Sequence, residues 1–169
     1  MEISNSEFTE LGVQLVLPLF EGSDKPPNNS LSGLSRSQRG LVRDALSSGS
    51  FDGKKGKRMT LWTPGCNIIL VGMGAKESLG HKRSRNTGAR LIASMSKKKG
   101  LDVTVRFTSG WSSKRMLDFA EGMMLRDYEF LSHQEIPEDH IGEPWRVEFQ
   151  ASSRHQEGLA EGLSITHSV

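Results

Sequence analysis

Gly72 and Gly74 close an apolar run in the order VGMG, from Val71 to Gly74. Glycines that follow a strand let backbone N–H groups approach a phosphate, which makes this turn a candidate anion site. The pattern is neither G-x-G-x-x-G nor a P-loop ending in Gly-Lys-Ser/Thr, and a polar stretch separates Gly74 from the next helical pattern. A tight structural turn is therefore the better reading of residues 71–74. Cations gather at Lys54, Lys55, Lys57 and Arg58, at His81, Lys82, Arg83 and Arg85, and at Lys97, Lys98 and Lys99. Facing one way, these groups would neutralise nucleic-acid phosphates. No aromatic side chains interleave them, so base stacking has no platform. Lys97–Lys99 equally suit a helix C-terminus, where cations are favoured. Solvated loops and helix ends are the plainer reading, and nucleic acid is not the expected partner.

Other chemistries find less support. The five histidines are scattered, with neither H-E-x-x-H nor a Cys–His zinc spacing. His155 and His167 stand too far apart on one helix to chelate an ion together. Cys66 follows the turn Pro64-Gly65, and nothing in the sequence places a base beside it, so it reads as an ordinary free thiol. Ser109–Ser113 (SGWSS) lacks the G-x-S-x-G elbow. Met116, Met123 and Met124 recur at helical spacing, as core-filling residues do. No catalytic, cofactor-binding or metal-ligating residue is assigned within the chain.

The elements that must carry these residues alternate between strand and helix. Val13–Leu19 (VQLVLPL) and Asn67–Val71 (NIILV) are short apolar runs bounded by turn residues and read as buried strands. Glu21–Ser30 (EGSDKPPNNS) is a loop. Leu34, Leu41, Val42, Ala45 and Leu46 recur at helical spacing, with Ser35 or Ser37 as cap and Gly49 just past the end. Phe51–Lys57 is a basic turn. Met59–Thr63 is a strand that can form a hairpin with Asn67–Val71. Ser84–Lys99 is a helix with Ala89, Ile92, Ala93 and Met95 inward, stopped by Gly100. Asp102–Phe107 is a strand rich in β-branched residues. Ser112 or Ser113 caps a helix that buries Met116, Phe119, Ala120, Met123 and Met124. His133–Pro144 is a polar connector, Trp145–Phe149 a strand, and His155–Val169 a helix weakened by Gly158 and Gly162. This alternation predicts an α/β fold in three layers, with a parallel or mixed sheet between helices.

Composition sets the class. The 169 residues suit one domain with a mainly aliphatic core, and 22 Lys and Arg nearly balance 20 Asp and Glu. A single cysteine excludes an internal disulfide framework and fits a reducing compartment. Met1–Thr9 is polar and acidic and lacks the make-up of a signal peptide, and no apolar run spans a bilayer. A cytoplasmic protein without membrane contact is expected. The chain ends within a helical pattern that has no stop signal, as the leading part of a longer polypeptide would.

Several stretches, taken in order, resemble the leucyl aminopeptidases of the cytosol aminopeptidase family. Leu15–Gly22 (LVLPLFEG) looks like the family's opening strand, and Ser50–Lys57 (SFDGKKGK) like its Phe followed by a Gly-Lys turn. Ile68–Lys76 (IILVGMGAK) is similar to its strand and glycine turn. Ala120–Phe130 (AEGMMLRDYEF) resembles the helix ending in Tyr and Phe, and Gly158–Val169 (GLAEGLSITHSV) the helix that leads into the catalytic domain. Leu131–Gln134 (LSHQ) departs from the family, which often carries a Lys there, and Glu135–Glu143 matches poorly. The resemblance implies a macro-domain-like N-terminal domain over residues 1–153, with 154–169 beginning the helix to a catalytic domain. That domain would hold two divalent metals, Zn or Mn, in a stretch close to N-T-D-A-E-G-R-L, which this chain lacks. The implied role is non-catalytic, in assembly or regulation of a hexameric enzyme that removes N-terminal residues from peptides. The alternatives are a stand-alone macro-like module for nucleotide or ADP-ribose, and a nucleic-acid-binding domain that uses the basic loops.

Overall fold

The computed structural model describes residues 2–6, 13–26, 28–95, 102–132 and 146–166. At its centre β2 (Gln14–Leu19) and β4 (Asn67–Gly72) run parallel, with Leu15 beside Ile68 and Leu17 beside Leu70. Both strands are covered on both faces, which is why they read as continuous apolar runs and not as an alternation. β3 (Arg58–Leu61) returns antiparallel to β4 as the expected hairpin partner. On the other flank come β5 (Asp102–Arg106), β6 (Arg146–Gln150) and β1 (Glu2–Ser6), all parallel. The order is β1-β6-β5-β2-β4-β3 in one mixed six-stranded sheet. β1 was not foreseen. Its sequence, EISNS, has neither an apolar run nor β-branched density, and its place at the sheet edge demands neither.

Strand alternation divides the core in two. Leu15, Leu17, Leu19, Ile68 and Leu70 pack towards α1 (Arg36–Ser47). Val16, Ile69, Val71, Val103, Val105, Val147 and Phe149 pack towards α2 (His81–Met95), α3 (Ser113–Ser132) and α4 (Ser153–Thr166). The result is the expected three-layer, macro-domain-like arrangement. An aromatic cluster seals the larger side, with Phe107 4.8 Å from Trp111 and 5.7 Å from Phe119 between ring centroids.

The helices start and face as local chemistry directs, with corrections. Ser35 caps α1 through a reciprocal box: its Oγ accepts from the Gln38 N–H at 3.2 Å, and Gln38 Oε1 accepts from the Ser35 N–H at 2.9 Å. Val42, Ala45 and Leu46 are buried, but Leu41 is 45% exposed because it lies on the flank of that stripe. α2 begins at His81, three residues ahead of the predicted Ser84. Its inner face is Ser84, Gly88, Leu91, Ile92 and Met95, while Ala93 points outward and Ala89 is half-buried. On α3, Met116, Phe119, Ala120 and Met123 are buried and Met124 only partly so. The predicted helix residues after Met95, the stop at Gly100, the connector His133–Pro144, Trp145 and His167 lie outside the described residues.

Glycine decides how closely the helices approach. A Cβ on Gly88 of α2 would fall 2.1 Å from the Phe119 carbonyl oxygen, and one on Gly122 of α3 would fall 1.9 Å from that of Arg85. The two helices thus touch backbone to backbone through a reciprocal pair of glycines. On α4, Gly162 leaves room for a side chain instead: a Cβ there would meet Leu117 of α3 at 2.4 Å. Of the two glycines that weaken α4 as an isolated helix, Gly162 is the one set close against α3, while a Cβ at Gly158 would come no nearer than 3.4 Å to Ser113.

Arg106 is fully buried on the α1 side of β5. Its Nε donates to Gln150 Oε1 at 2.8 Å, and its Nη1 donates to the carbonyls of Ser30 at 3.1 Å and Ser32 at 2.7 Å. Gln150 Nε2 in turn donates to Glu148 Oε2 at 3.1 Å. Burial pushes the guanidinium down to about 10, partly opposed by Glu148, so it remains charged at neutral pH. This network draws the segment around Ser30 across a part of the sheet that carries polar side chains.

Candidate functional site

The glycine turn resolves as scaffold. The Gly72 N–H donates to the Lys57 carbonyl at 2.7 Å, the Met73 N–H to Leu19 at 2.9 Å and the Gly74 N–H to Gly53 at 2.9 Å. Every donor that could have cradled a phosphate is engaged with backbone. A Cβ on Gly72 would lie 2.0 Å from the Lys54 carbonyl oxygen, and Gly74 has φ +76°. Glycine is needed at both positions for close approach and for a left-handed backbone. We expect Gly72→Ala to cost about 1–3 kcal/mol by overpacking, seen as a lower urea midpoint with an unchanged slope. An unaltered midpoint would show that the turn has room the geometry denies it.

The basic stretches lie on an exposed loop and at a helix start, as anticipated, but they are also neighbours in space. The Lys55–Arg58 segment and α2 face each other across a cleft of about 480 Å³. Two of the basic clusters therefore meet: Lys55, Lys57 and Arg58 on one wall, and Lys82, Arg83 and Arg90 on the other. Val71 and Leu91 contribute apolar surface, and Asn86, Thr87, Ser78 and Ser94 add polar groups. Arg83 Nη1 donates to Ser78 Oγ and Arg58 Nη1 to Ser94 Oγ, which orients both guanidiniums. Partial burial pulls Arg58 below its ordinary range. At the rim Asp52 pairs with Lys54 and Lys57, each at 3.3 Å. The Lys54 N–H donated to Asp52 holds that carboxyl below the usual carboxylate range. Lys97–Lys99 lie outside the described residues, and Arg85 faces away to pair with Glu121 of α3. Sequence reasoning missed Arg90, which stands alone in the chain. The signal was the complete lack of Asp and Glu between His81 and Met95.

Two further pairings join elements. Asp118, buried on α3, accepts from His81 at the start of α2 and from Arg115 Nη1, the latter at 2.8 Å. Ser113 Oγ lies 3.0 Å from His155 Nδ1, tying the start of α3 to α4. This serine stands in the SGWSS stretch set aside above, and its contact with a histidine was not foreseen. The Cys66 thiol is buried, and burial raises it above its ordinary range, leaving little thiolate to act as a nucleophile. Among the described residues no three His, Cys, Asp or Glu side chains converge to hold a metal ion, so these residues do not fit a divalent metal centre. Among them, too, no helix is long and apolar enough to cross a membrane.

The family model of the cytosol aminopeptidase family, N-terminal domain, matches residues 16–135. A mutant of tomato leucine aminopeptidase superposes with a TM-score of 0.67 at 19% identity, over 99% of this chain and 36% of that one. The bottromycin maturation enzyme BotP in complex with Mn gives 0.54 at 13% identity, over 92% of this chain and 30% of that one. A second structure of BotP gives 0.52 at 15% identity with the same coverage, 92% and 30%. At such identities the structures speak for the fold, and this chain spans about a third of their length. No curated protein matches it in sequence. With the family model covering most of the sequence and the sheet order and helix layers in place around it, the chain belongs to the cytosol aminopeptidase family, as an N-terminal domain.

Proposed function

We propose that this chain is the non-catalytic N-terminal domain of a leucyl aminopeptidase, serving assembly or control of access. The catalytic portion, which removes N-terminal residues from peptides, would follow it in the same polypeptide. The observation that carries the reading is the family match over residues 16–135, together with a fold that lies almost wholly within one third of tomato leucine aminopeptidase. The chemistry of the domain agrees. Asp118 is engaged by His81 and Arg115 and Glu121 by Arg85, so these carboxylates join α2 to α3, and Asp52 is engaged by two lysines of its own loop. The two divalent ions of the family resemblance would belong to the catalytic portion, as Zn²⁺ or Mn²⁺.

The same proposal divides the chain at residue 153 and gives 154–169 the task of leading into that portion. α4 buries Leu159 and Leu163 against this domain, which would fix the direction in which the chain leaves it. A hexamer with these domains outermost, in the cytoplasm, completes the reading. Nothing in the geometry favours ADP-ribose at the glycine turn, whose amides are engaged.

The test is direct. The 169-residue chain, supplied with Zn²⁺ or Mn²⁺, is expected to leave leucyl-p-nitroanilide intact. The polypeptide extended through its downstream reading frame is expected to hydrolyse it in a chelator-sensitive way and to sediment as an oligomer. Chelator-sensitive hydrolysis by the short chain would refute the assignment, as would a reading frame that lacks the carboxylate stretch.

A further inference from the structure

The cleft between α2 and the Lys55–Arg58 segment has no part in the scaffold role proposed above. Its lining holds six Lys and Arg side chains and no Asp or Glu, in a protein whose totals are 22 and 20. Such segregation does not follow from the near-neutral composition. It also runs against local electrostatics. The first turn of α2 holds His81, Lys82 and Arg83 and no acid, at the end of a helix where the backbone dipole is already positive. The nearby α3 carboxylates Asp118 and Glu121 do not relieve this, since they bind His81, Arg115 and Arg85, none of which lines the cleft. Asp52 shares itself between Lys54 and Lys57 at the rim. Lys55, Arg58, Lys82, Arg83 and Arg90 thus converge without an ion-pair partner among the described residues. The Arg83 guanidinium lies 3.5 Å from the point where a Gly74 Cβ would stand, and the Lys55 Cβ lies 3.1 Å from it, so the two side chains start from neighbouring positions.

We infer that this cleft binds a small polyphosphate, with Arg58, Arg83 and Arg90 as its principal phosphate ligands and Lys55, Lys57 and Lys82 completing the field. Guanidiniums held by serine hydroxyls present fixed forks, which suit the oxygens of linked phosphates. The volume, about 480 Å³, falls within the range of small-molecule sites. A nucleic-acid duplex needs an extended stripe instead, and would have to cross α2 into the more open hollow beyond it, lined by Arg90 and Arg126. A linked phosphate chain can come from an inorganic source or from a nucleotide, whose apolar base would find Val71 and Leu91.

Calorimetric titration of the 169-residue chain with inorganic tripolyphosphate, with ATP and with a short DNA duplex separates these cases. Saturable one-to-one binding of tripolyphosphate is expected, weakening as salt is raised. The double variant Arg83→Glu/Arg90→Glu should bind at least about tenfold more weakly, the loss expected for charge-assisted contacts. Arg126→Glu should leave affinity unchanged. ATP binding equal to tripolyphosphate would mean that the phosphate chain alone is read, and tighter ATP binding that a nucleotide is the ligand. The double variant should melt no lower than the parent, since it removes like-charge repulsion. Should it fail to fold, Lys55→Gln/Lys82→Gln serves in its place with the same expectation. The proposal is overturned by absence of binding at millimolar tripolyphosphate and ATP, or by undiminished binding in the variants. It is overturned too if the duplex binds tighter than either and loses affinity in Arg126→Glu.

Discussion

Gly122→Ala is expected to destabilise the domain by about 3 kcal/mol, the upper end for overpacking, and to lower its melting temperature by roughly 10 °C. The added Cβ would lie 1.9 Å from the Arg85 carbonyl oxygen, and that oxygen belongs to helix backbone that cannot swing aside. Relief requires α2 and α3 to part, and the helices bury Leu91, Ile92, Met95, Met116, Phe119 and Met123 between themselves and the sheet. Gly88→Ala should act alike, since its Cβ would meet the Phe119 carbonyl oxygen at 2.1 Å. The control is Gly40→Ala on α1, where no atom lies within 4 Å of the added Cβ. There only helix propensity changes, and stability should rise by about 0.5–1 kcal/mol. Opposite signs at two mid-helix glycines cannot come from propensity alone. A Gly122→Ala melting curve within two or so degrees of the parent would mean that the helices have slack at their closest point.

Arg106→Leu should be costlier still, at about 3–5 kcal/mol, the range for breaking a buried charge network by removing one partner. The loss removes the guanidinium donor to the carbonyls of Ser30 and Ser32 and to Gln150 Oε1, and takes away a charge that interacts favourably with Glu148. Arg106→Lys should recover only part of this. A single ammonium cannot serve Gln150 and two carbonyls in the geometry that a planar fork permits. The effect has a location as well as a size. Amide exchange at residues 30–34 should quicken well before that of β4, because the network is what draws that segment onto the sheet. Equal urea midpoints for Arg106→Leu and the parent, or uniform exchange along the chain, would contradict this account.

Much of the framework was legible because its causes are local. A cap at Ser35 or Ser37 is legible from the residues ahead of the helical pattern, and the structure settles on Ser35 with Gln38 completing the box. The runs LVLPL and NIILV announce strands buried on both faces, since only a covered strand tolerates apolar side chains in both directions. Family resemblance rested on the same short stretches and on their order. The misreadings are equally physical. Leu41 and Ala93 satisfy helical periodicity, yet periodicity does not say how wide the covered stripe is, and both fall outside it. β1 gave no signal because an edge strand can be polar.

By itself the sequence determined the class of fold and the two apolar central strands, whose signals lie in neighbours a few residues apart. Only the tertiary structure decided which glycines are indispensable, why an arginine lies buried in the sheet, and that two basic stretches share one cleft. Gly88 and Gly122 are 34 positions apart, and Arg58 and Arg90 are 32 positions apart. A linear reading weighs such residues one at a time, whereas a carbonyl at 1.9 Å or six cations around one cavity exist only once the chain has crossed over itself.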